Sequence, residues 1–359
     1  MDKLILFELK KLLKNRIVFI SSVVFLILYA FMLYSWNFAG GWAVTPTGEA
    51  LYGQEAAAYN EEITLRYRGP LTDDKIQEIL KEFRPSDGEA AAFRMNDVYD
   101  PVAKLFAESD GTWNGKMVSE VFPAFSGPPQ LGMSSRWESF LSSMSYVFLM
   151  AGIVLIIIIS PVFSDEYSSG MDSLILTARN GMGPCVKAKF AAALLITVTA
   201  VGFLLVSSFL VFCLGKGTAG WDADLQLGAK SLFYGFAKPL KCYEAVILLA
   251  GISLLAMVTL TAFVLMFSVV SKSSYTSIIL SALFFTAPML VNPGEGTLKK
   301  LVMMLPANSF NLSALLSTGG WMLSGFKFSV LAEAGILMVT ASMAAMILCR
   351  RVFSRHQVM

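Results

Sequence analysis

Six stretches of this chain, residues 17–36, 143–164, 190–214, 245–270, 274–292 and 328–349, are apolar and almost free of charge. A helix that crosses a bilayer needs about 20 mostly apolar residues, and each stretch is at or close to that length. Glu333 is the one charge inside them, five residues into the sixth run, where a carboxylate still reaches the interface. Overall, 55% of residues are hydrophobic and 15% charged, against roughly 25% charged in a soluble domain. So few charges cannot cover a water-facing surface, and mean hydropathy is +0.63. The composition specifies an all-α integral membrane protein with six transmembrane helices.

The first run is an anchor. Its apolar stretch is longer than the roughly 7–15 residues of a signal peptide, and no small-x-small cleavage pattern follows Trp36. Before it, Ile5, Leu6, Leu9, Leu12 and Leu13 alternate at helical spacing with Glu8, Lys10, Lys11, Lys14 and Asn15. Such a helix lies in the membrane interface with lysines toward headgroups, or serves as a plain basic flank.

Basic residues set the orientation. Residues 1–16, 165–189, 271–273 and 350–359 hold 12 of the 28 Lys and Arg, at more than twice the density of the other connecting segments. They are assigned to the cytoplasm, with both termini. Residues 37–142 carry nine basic and 16 acidic residues, net −7, and form a mainly helical extracytoplasmic domain between spans one and two. Trp36, Trp42, Trp137, Trp221 and Trp321 fall at or beyond outer span ends, as an aromatic belt would.

In that domain, Ala50–Arg66 has helical spacing, and Thr72 before Asp73 and Asp74 is a capping hydroxyl followed by first-turn carboxylates. Ile76, Ile79, Leu80 and Phe83 then form one apolar stripe that Pro85 stops, and a third helix is expected over 90–108. Glu61–Glu62 and Asp73–Asp74 are adjacent on helices and point apart, which fits solvated faces better than a catalytic pair. Residues 293–327 predict two short helices, at Leu298–Leu305 and Asn311–Leu316, either re-entrant or lying on the surface.

Several chemistries are excluded. The single histidine, His356, rules out His-based triads and multi-His metal sites. Net charge +2 leaves no electrostatic footprint for nucleic acid. Cys213 and Cys242 are placed where a disulfide is geometrically possible, though isolated buried thiols are the commoner arrangement. No phosphate-binding G-x-x-x-x-G-K-[ST] loop is present, since Gly215-Lys216-Gly217-Thr218 lacks the preceding glycine. The chain is not an enzyme on this reading.

Between spans two and three an acidic corner, a short apolar helix, a Gly/Pro turn and a basic re-entry follow one another. Phe163, Glu166, Gly170, Leu174, Ile175, Leu176, the Gly181–Pro184 turn and Lys189 carry this pattern. With it the chain resembles the type-2 ABC transporter permeases (the ABC-2 family). Where that family often has a Pro-Ile/Val-Ser/Thr-Arg turn, this chain has Ala178-Arg179-Asn180-Gly181. The segment Glu8–Arg16 is similar to the family's elbow helix. The large insert after span one resembles a Gram-positive subgroup with a Gly69-Pro-Leu-Thr72 helix start.

The resemblance implies a permease without its own ATPase. Two copies of a cytoplasmic ABC ATPase would bind ATP and Mg, and this chain would carry no cofactor. A second permease, identical or homologous, would complete a dimer in the cell membrane of a bacterium, in contact with lipid. Residues 1–16 become an amphipathic elbow helix bearing Glu8, Lys10, Lys11 and Lys14, and 17–36 the first span. Residues 37–142 are the outer domain, 143–164 the second span and 165–189 the cytoplasmic coupling loop. Then come span 190–214, outer loop 215–244, spans 245–270 and 274–292, outer loop 293–327, span 328–349 and tail 350–359. Glu166, Gly170, Leu174, Ile175, Leu176 and Arg179 would couple to the ATPase. Glu166 would accept hydrogen bonds from that partner or cap the loop helix, with the alternative that it is satisfied within the chain. The expected function is export of an amphipathic peptide, lipid or drug. The competing reading is a membrane-bound ligand sensor or immunity protein acting through its outer domain.

Overall fold

The computed structural model describes residues 2–38, 40–84, 96–171, 177, 183–230, 232–234, 236, 238–291, 294, 296–318, 322–323, 326–327 and 329–355. Helices α1 (Asp2–Leu13) and α2 (Arg16–Phe38) open the chain. A hairpin of β1 (Gly41–Val44) and β2 (Ala50–Tyr52) follows, then α3 (Gly53–Tyr67), β3 (Gly69–Pro70) and α4 (Asp73–Glu82). Next come α5 (Tyr99–Phe106), α6 (Val118–Val121), β4 (Gln130–Leu131), α7 (Ser134–Ile159) and α8 (Pro161–Ser168). The long helices α9 (Pro184–Lys216) and α10 (Cys242–Val270) precede α11 (Ser274–Leu290). Three short helices, α12 (Thr297–Met303), α13 (Pro306–Ser309) and α14 (Leu312–Ser317), lead to α15 (Val330–Arg355).

Among the described residues, five helices are long and apolar enough to cross a membrane: Arg16–Phe38, Ser134–Ser168, Pro184–Lys216, Cys242–Val270 and Val330–Ser354. The fifth apolar run of the sequence forms the shorter α11, of 17 residues. At 1.5 Å per residue it reaches about 26 Å, a little under a ~30 Å hydrocarbon core. Six full-length spans were expected; the structure has five and this shorter helix. The protein is an all-α integral membrane protein, and the sheets among the described residues are two-stranded.

The chain divides into two compact units. The first contains residues 1–30, 144–207 and 250–359. Hydroxyl pairs join several of its helices. Thr197 and Thr261 meet at 2.7 Å, Ser342 and Thr259 at 3.0 Å, and Tyr29 and Ser207 at 2.7 Å. In a bilayer such side chains must find partners within the protein. Gly152 allows close packing of α7 on α11: a Cβ there would lie 2.4 Å from Phe285 Cζ. Of the loop after α11, the part formed by α13 and α14 packs into this unit. Phe310 is fully buried and stacks on Phe148 with centroids 5.5 Å apart, and Ser145 Oγ donates to Phe310 O at 2.7 Å. Asn311 accepts from Ala314 N at 3.2 Å and so starts α14 as an N-cap.

The second unit contains residues 31–143 and 208–249. It includes the segment between α9 and α10, expected from sequence as the outer loop 215–244. Leu227 joins a core made with Ile63, Leu71, Ile79, Tyr99 and Phe106. Glu138, fully buried near the start of α7, accepts from Lys230 N at 2.8 Å and Leu232 N at 2.5 Å. Asp224 Oδ2 accepts from Gln130 N at 2.6 Å, and Lys241 Nζ lies 2.9 Å from its other oxygen. These contacts explain why α7 starts at Ser134, nine residues before the apolar run: side chains of its first turns bind the backbone of the 227–232 segment.

Thr72 caps α4, accepting from Lys75 N at 3.4 Å, and Ile76, Ile79 and Leu80 are buried. Residues 50–52 are strand rather than helix, paired in register Trp42↔Tyr52, Ala43↔Leu51 and Val44↔Ala50. The turn between Thr45 and Glu49 decides this, since Thr45 N donates to Glu49 O at 2.9 Å. Of the helix expected over 90–108, the described part is Tyr99–Phe106; Asn96 Oδ1 accepts from Val98 N and Tyr99 N at its start. Residues 90–95 and Pro85 lie outside the described residues. Trp137 is no belt residue: it is fully buried against Phe212 and Trp221, with its indole N–H on Ala219 O at 3.0 Å. Cys185, Cys213, Cys242 and Cys349 are free thiols, so Cys213 and Cys242 are not bonded.

Two measurements check this packing. Gly152→Ala should lower the apparent melting temperature of the purified protein, because overpacking a close contact costs about 1–3 kcal/mol. Adding Phe285→Leu should recover part of the loss. In the second unit, the Tyr67 hydroxyl donates to Glu82 and receives Arg66 Nη2 at 3.0 Å. Burial, then the Glu82 hydrogen bond, raises its pKa from 10.0 to about 12. The fold thus favours the neutral phenol. That contribution is intact below pH 10.0 and is lost as pH rises toward about 12. Tyr67→Phe should cost about 1 kcal/mol at neutral pH and flatten the alkaline decline of the melting temperature.

Candidate coupling site

The site is built where α1, α8 and the first turns of α9 meet in the first unit. Asn15 separates α1 from α2: its Oδ1 accepts from Ile17 N at 2.9 Å, capping the second helix as the first ends. This turn lets α1 pack as a separate piece. Its inward face is not purely apolar. Glu8 and Leu12 are buried and Lys11 is partly buried, while Leu6, Phe7 and Leu13 are exposed.

Pro161 positions the second part. It has no N–H, so Ile157 O loses its helical donor and the helix must bend or find substitutes. Ser268 on α10 bonds the backbone groups around the break. Its Oγ accepts from Phe163 N at 3.0 Å and Ser164 N at 3.2 Å, and donates to Ser160 O at 2.6 Å. Ser164 Oγ lies 2.9 Å from Ser274 Oγ, and Ser274 donates to Asp165. Asp165 is thereby held toward the start of α11, and Glu166 is turned toward α1 and α9.

Lys189 sits at the centre, 0% exposed in its side chain. An ammonium has three donors, and all are used: Glu166 Oε1 at 2.5 Å, Glu8 Oε2 at 3.1 Å and Val162 O at 3.0 Å. The Phe163 ring lies beneath it, 5.5 Å from Nζ to centroid. Lys11 Nζ adds a second cation 3.0 Å from Glu166 Oε1. Two carboxylates and two ammoniums give a cluster with no net charge. Removing one member leaves its partner buried and uncompensated, which costs far more than the pair itself contributes.

The coupling residues expected from sequence therefore separate. Glu166 is buried and satisfied within the chain by Lys11 and Lys189, while its Oε2 makes no hydrogen bond among the described residues. Gly170 ends α8. Its φ is +69°, and Met171 N donates to Glu166 O at 2.9 Å, the closing bond of a Schellman cap. No heavy atom lies near a Cβ built there, so the glycine is needed for backbone conformation alone. Leu174, Ile175, Leu176 and Arg179 lie outside the described residues. Of the elbow residues, Glu8 and Lys11 enter the cluster, whereas Lys10 and Lys14 are exposed. Sequence reasoning placed Lys189 in a pattern without assigning it a partner. Its signal was a lone charge opening an apolar run. Ser268 had none.

Among the described residues no group of His, Cys, Asp or Glu is placed to hold a metal ion. The long apolar helices define an integral membrane protein. The family described as ABC-2 family transporter protein matches residues 3–308, and the chain belongs to it. It is a multi-pass membrane permease of an ABC transporter. No curated protein and no solved structure matches the chain.

Lys189→Met should destabilise the protein by about 3–5 kcal/mol, since two carboxylates lose their shared cation. Lys11→Ala, at a partly exposed position, should cost about 1 kcal/mol or less. Combining Glu8→Gln and Glu166→Gln with Lys189→Met should restore most of the melting temperature. Equal effects of Lys189→Met and Lys11→Ala would contradict the cluster's internal order.

Proposed function

We propose that this permease exports an amphipathic substrate such as a peptide, lipid or drug, driven by ATP hydrolysis on a separate cytoplasmic subunit present in two copies. A second permease, identical or homologous, completes the pathway. Both termini face the cytoplasm of a bacterial cell, and residues 37–142 are extracytoplasmic. ATP and Mg belong to the partner.

The observation that carries this reading is the cluster of Glu8, Lys11, Glu166 and Lys189. It ties the elbow helix to both ends of the loop 165–189, so that a force on the loop moves α1, α8 and α9 as one body. Glu166 acts here as a positioning residue: through Lys11 and Lys189 it holds the loop's root. The hydroxyl-paired helix contacts support an amphipathic substrate, because proton or ion pathways use carboxylates within the spans.

The test is purification of the full chain from its native membrane in mild detergent, with mass spectrometry of what accompanies it. A stoichiometric ATPase carrying a phosphate-binding loop is expected. Glu166→Gln should leave insertion intact and cut the ATP hydrolysis stimulated by the permease by about tenfold or more, in keeping with one lost charge-assisted hydrogen bond. Preparations that hold no ATPase would favour the ligand-sensor reading instead.

A further inference from the structure

Lys216 lies two residues past the apolar run 190–214, and Arg136 seven residues before the run 143–164. The fold of the second unit brings them together. Arg136 Nη1 donates to Lys216 O at 2.8 Å, covering a carbonyl at the end of α9, and Arg136 Nη2 donates to Glu61 Oε2 at 2.7 Å. A guanidinium has five donors, so three of them meet no acceptor among the described residues. The Arg136 side chain is nonetheless only 17% exposed.

Lys216 repeats the imbalance. It is half-buried, and its three ammonium donors meet no acceptor among the described residues. The charges that face it are Arg136, Lys230 and Asp97. With Glu61 on Arg136, three cations stand against two carboxylates. Glu138 is two residues on from Arg136, hence on another side of α7, and is engaged by the amides of Lys230 and Leu232. For a solvated lysine at a helix C-terminus, the helix dipole is explanation enough. A lysine drawn in beside a guanidinium is different, because like charges repel and buried donors are normally paired.

We propose that Arg136 and Lys216, with the exposed Lys230 at the edge, form a binding site for a phosphate group. A phosphate offers several strong acceptor oxygens and negative charge to the unused donors. Arginine matches it with a planar fork, and lysine adds a point charge. Both residues stand near the ends of apolar runs, the level of lipid phosphates, so the group belongs to a phospholipid headgroup or to a small phosphorylated molecule. The site is independent of the ATPase and of the direction of transport.

The full chain in neutral detergent is titrated with sodium phosphate and, separately, with dihexanoylphosphatidylglycerol, at ionic strength held constant with chloride. The melting temperature is followed, since a ligand of the folded state raises it by mass action. A saturable rise is expected with inorganic phosphate if the source is a small molecule, and with the lipid alone if it is a headgroup. Lys216→Met should leave the ligand-free melting temperature unchanged or higher, because the ammonium has no bond to lose. The same variant should weaken binding by about tenfold or more, in keeping with one lost charge-assisted hydrogen bond. Lys216→Arg should keep most of the affinity, and Lys116→Met, an exposed position, should change nothing. The proposal is overturned if neither probe gives a saturable rise, or if Lys216→Met binds as tightly as the wild type. A large fall in the ligand-free melting temperature of Lys216→Met would also overturn it, by marking the lysine as structural. None of these outcomes bears on whether an ATPase co-purifies, so the two readings fail separately.

Discussion

A buried ammonium is the constraint around which the first unit is organised. Lys189 enters at the head of a long apolar helix, where an uncompensated charge would be strongly unfavourable. Its position is tolerable because Glu8, Glu166 and the carbonyl of Val162 converge on it. Those groups come from two helices, α1 and α8, which are aimed by local devices: the cap at Asn15, the proline at 161 and the end of α8 at Gly170. None of these devices is strong alone. Their common target makes the arrangement specific, since shifting any one helix by a residue would strand a charge.

The bend at Pro161 shows how a membrane helix accommodates a lost backbone donor. Ser268 on a neighbouring helix bonds two amides and one carbonyl around the break, which ties α8 to α10 at that point. The same region holds Asp165 and Glu166 apart, one engaged by Ser274 and the other by Lys189 and Lys11. Two adjacent acids therefore secure two different contacts, to α11 and to α1 with α9.

Much of this was legible in sequence because apolar run length and helical periodicity are local signals. The apolar runs, the start of α4 at Thr72 and the short helix begun at Asn311 all followed from them. Long-range polar pairing left no such trace. Glu138 and Asp224 look like ordinary surface acids, yet each binds backbone amides from a segment about 90 residues away. Trp137 looked like a belt residue because its position along the chain was right; its burial depends on Phe212 and Trp221, which periodicity does not reveal. For the elbow helix, alternating Leu and Lys concealed the more telling fact that the face turned inward carries Glu8 and Lys11. Glu166 and Gly170 were found by motif. Their roles, an internal ion pair and a backbone cap, emerged only from geometry.

The partners of the cluster are far apart in the chain, and this bears on how the protein is made. Glu8 waits 181 residues for Lys189, so the first helix and first anchor must reside in the membrane while the elbow still has no inner partner. The second unit has a similar gap. Its core is not closed until Leu227 has emerged, after the third long helix. During synthesis two sets of contacts are thus left unfinished at the same time. The delivery of α9, which bears Lys189 near one end and leads to Leu227 at the other, lets both be completed. Order of synthesis and order of folding coincide at that helix.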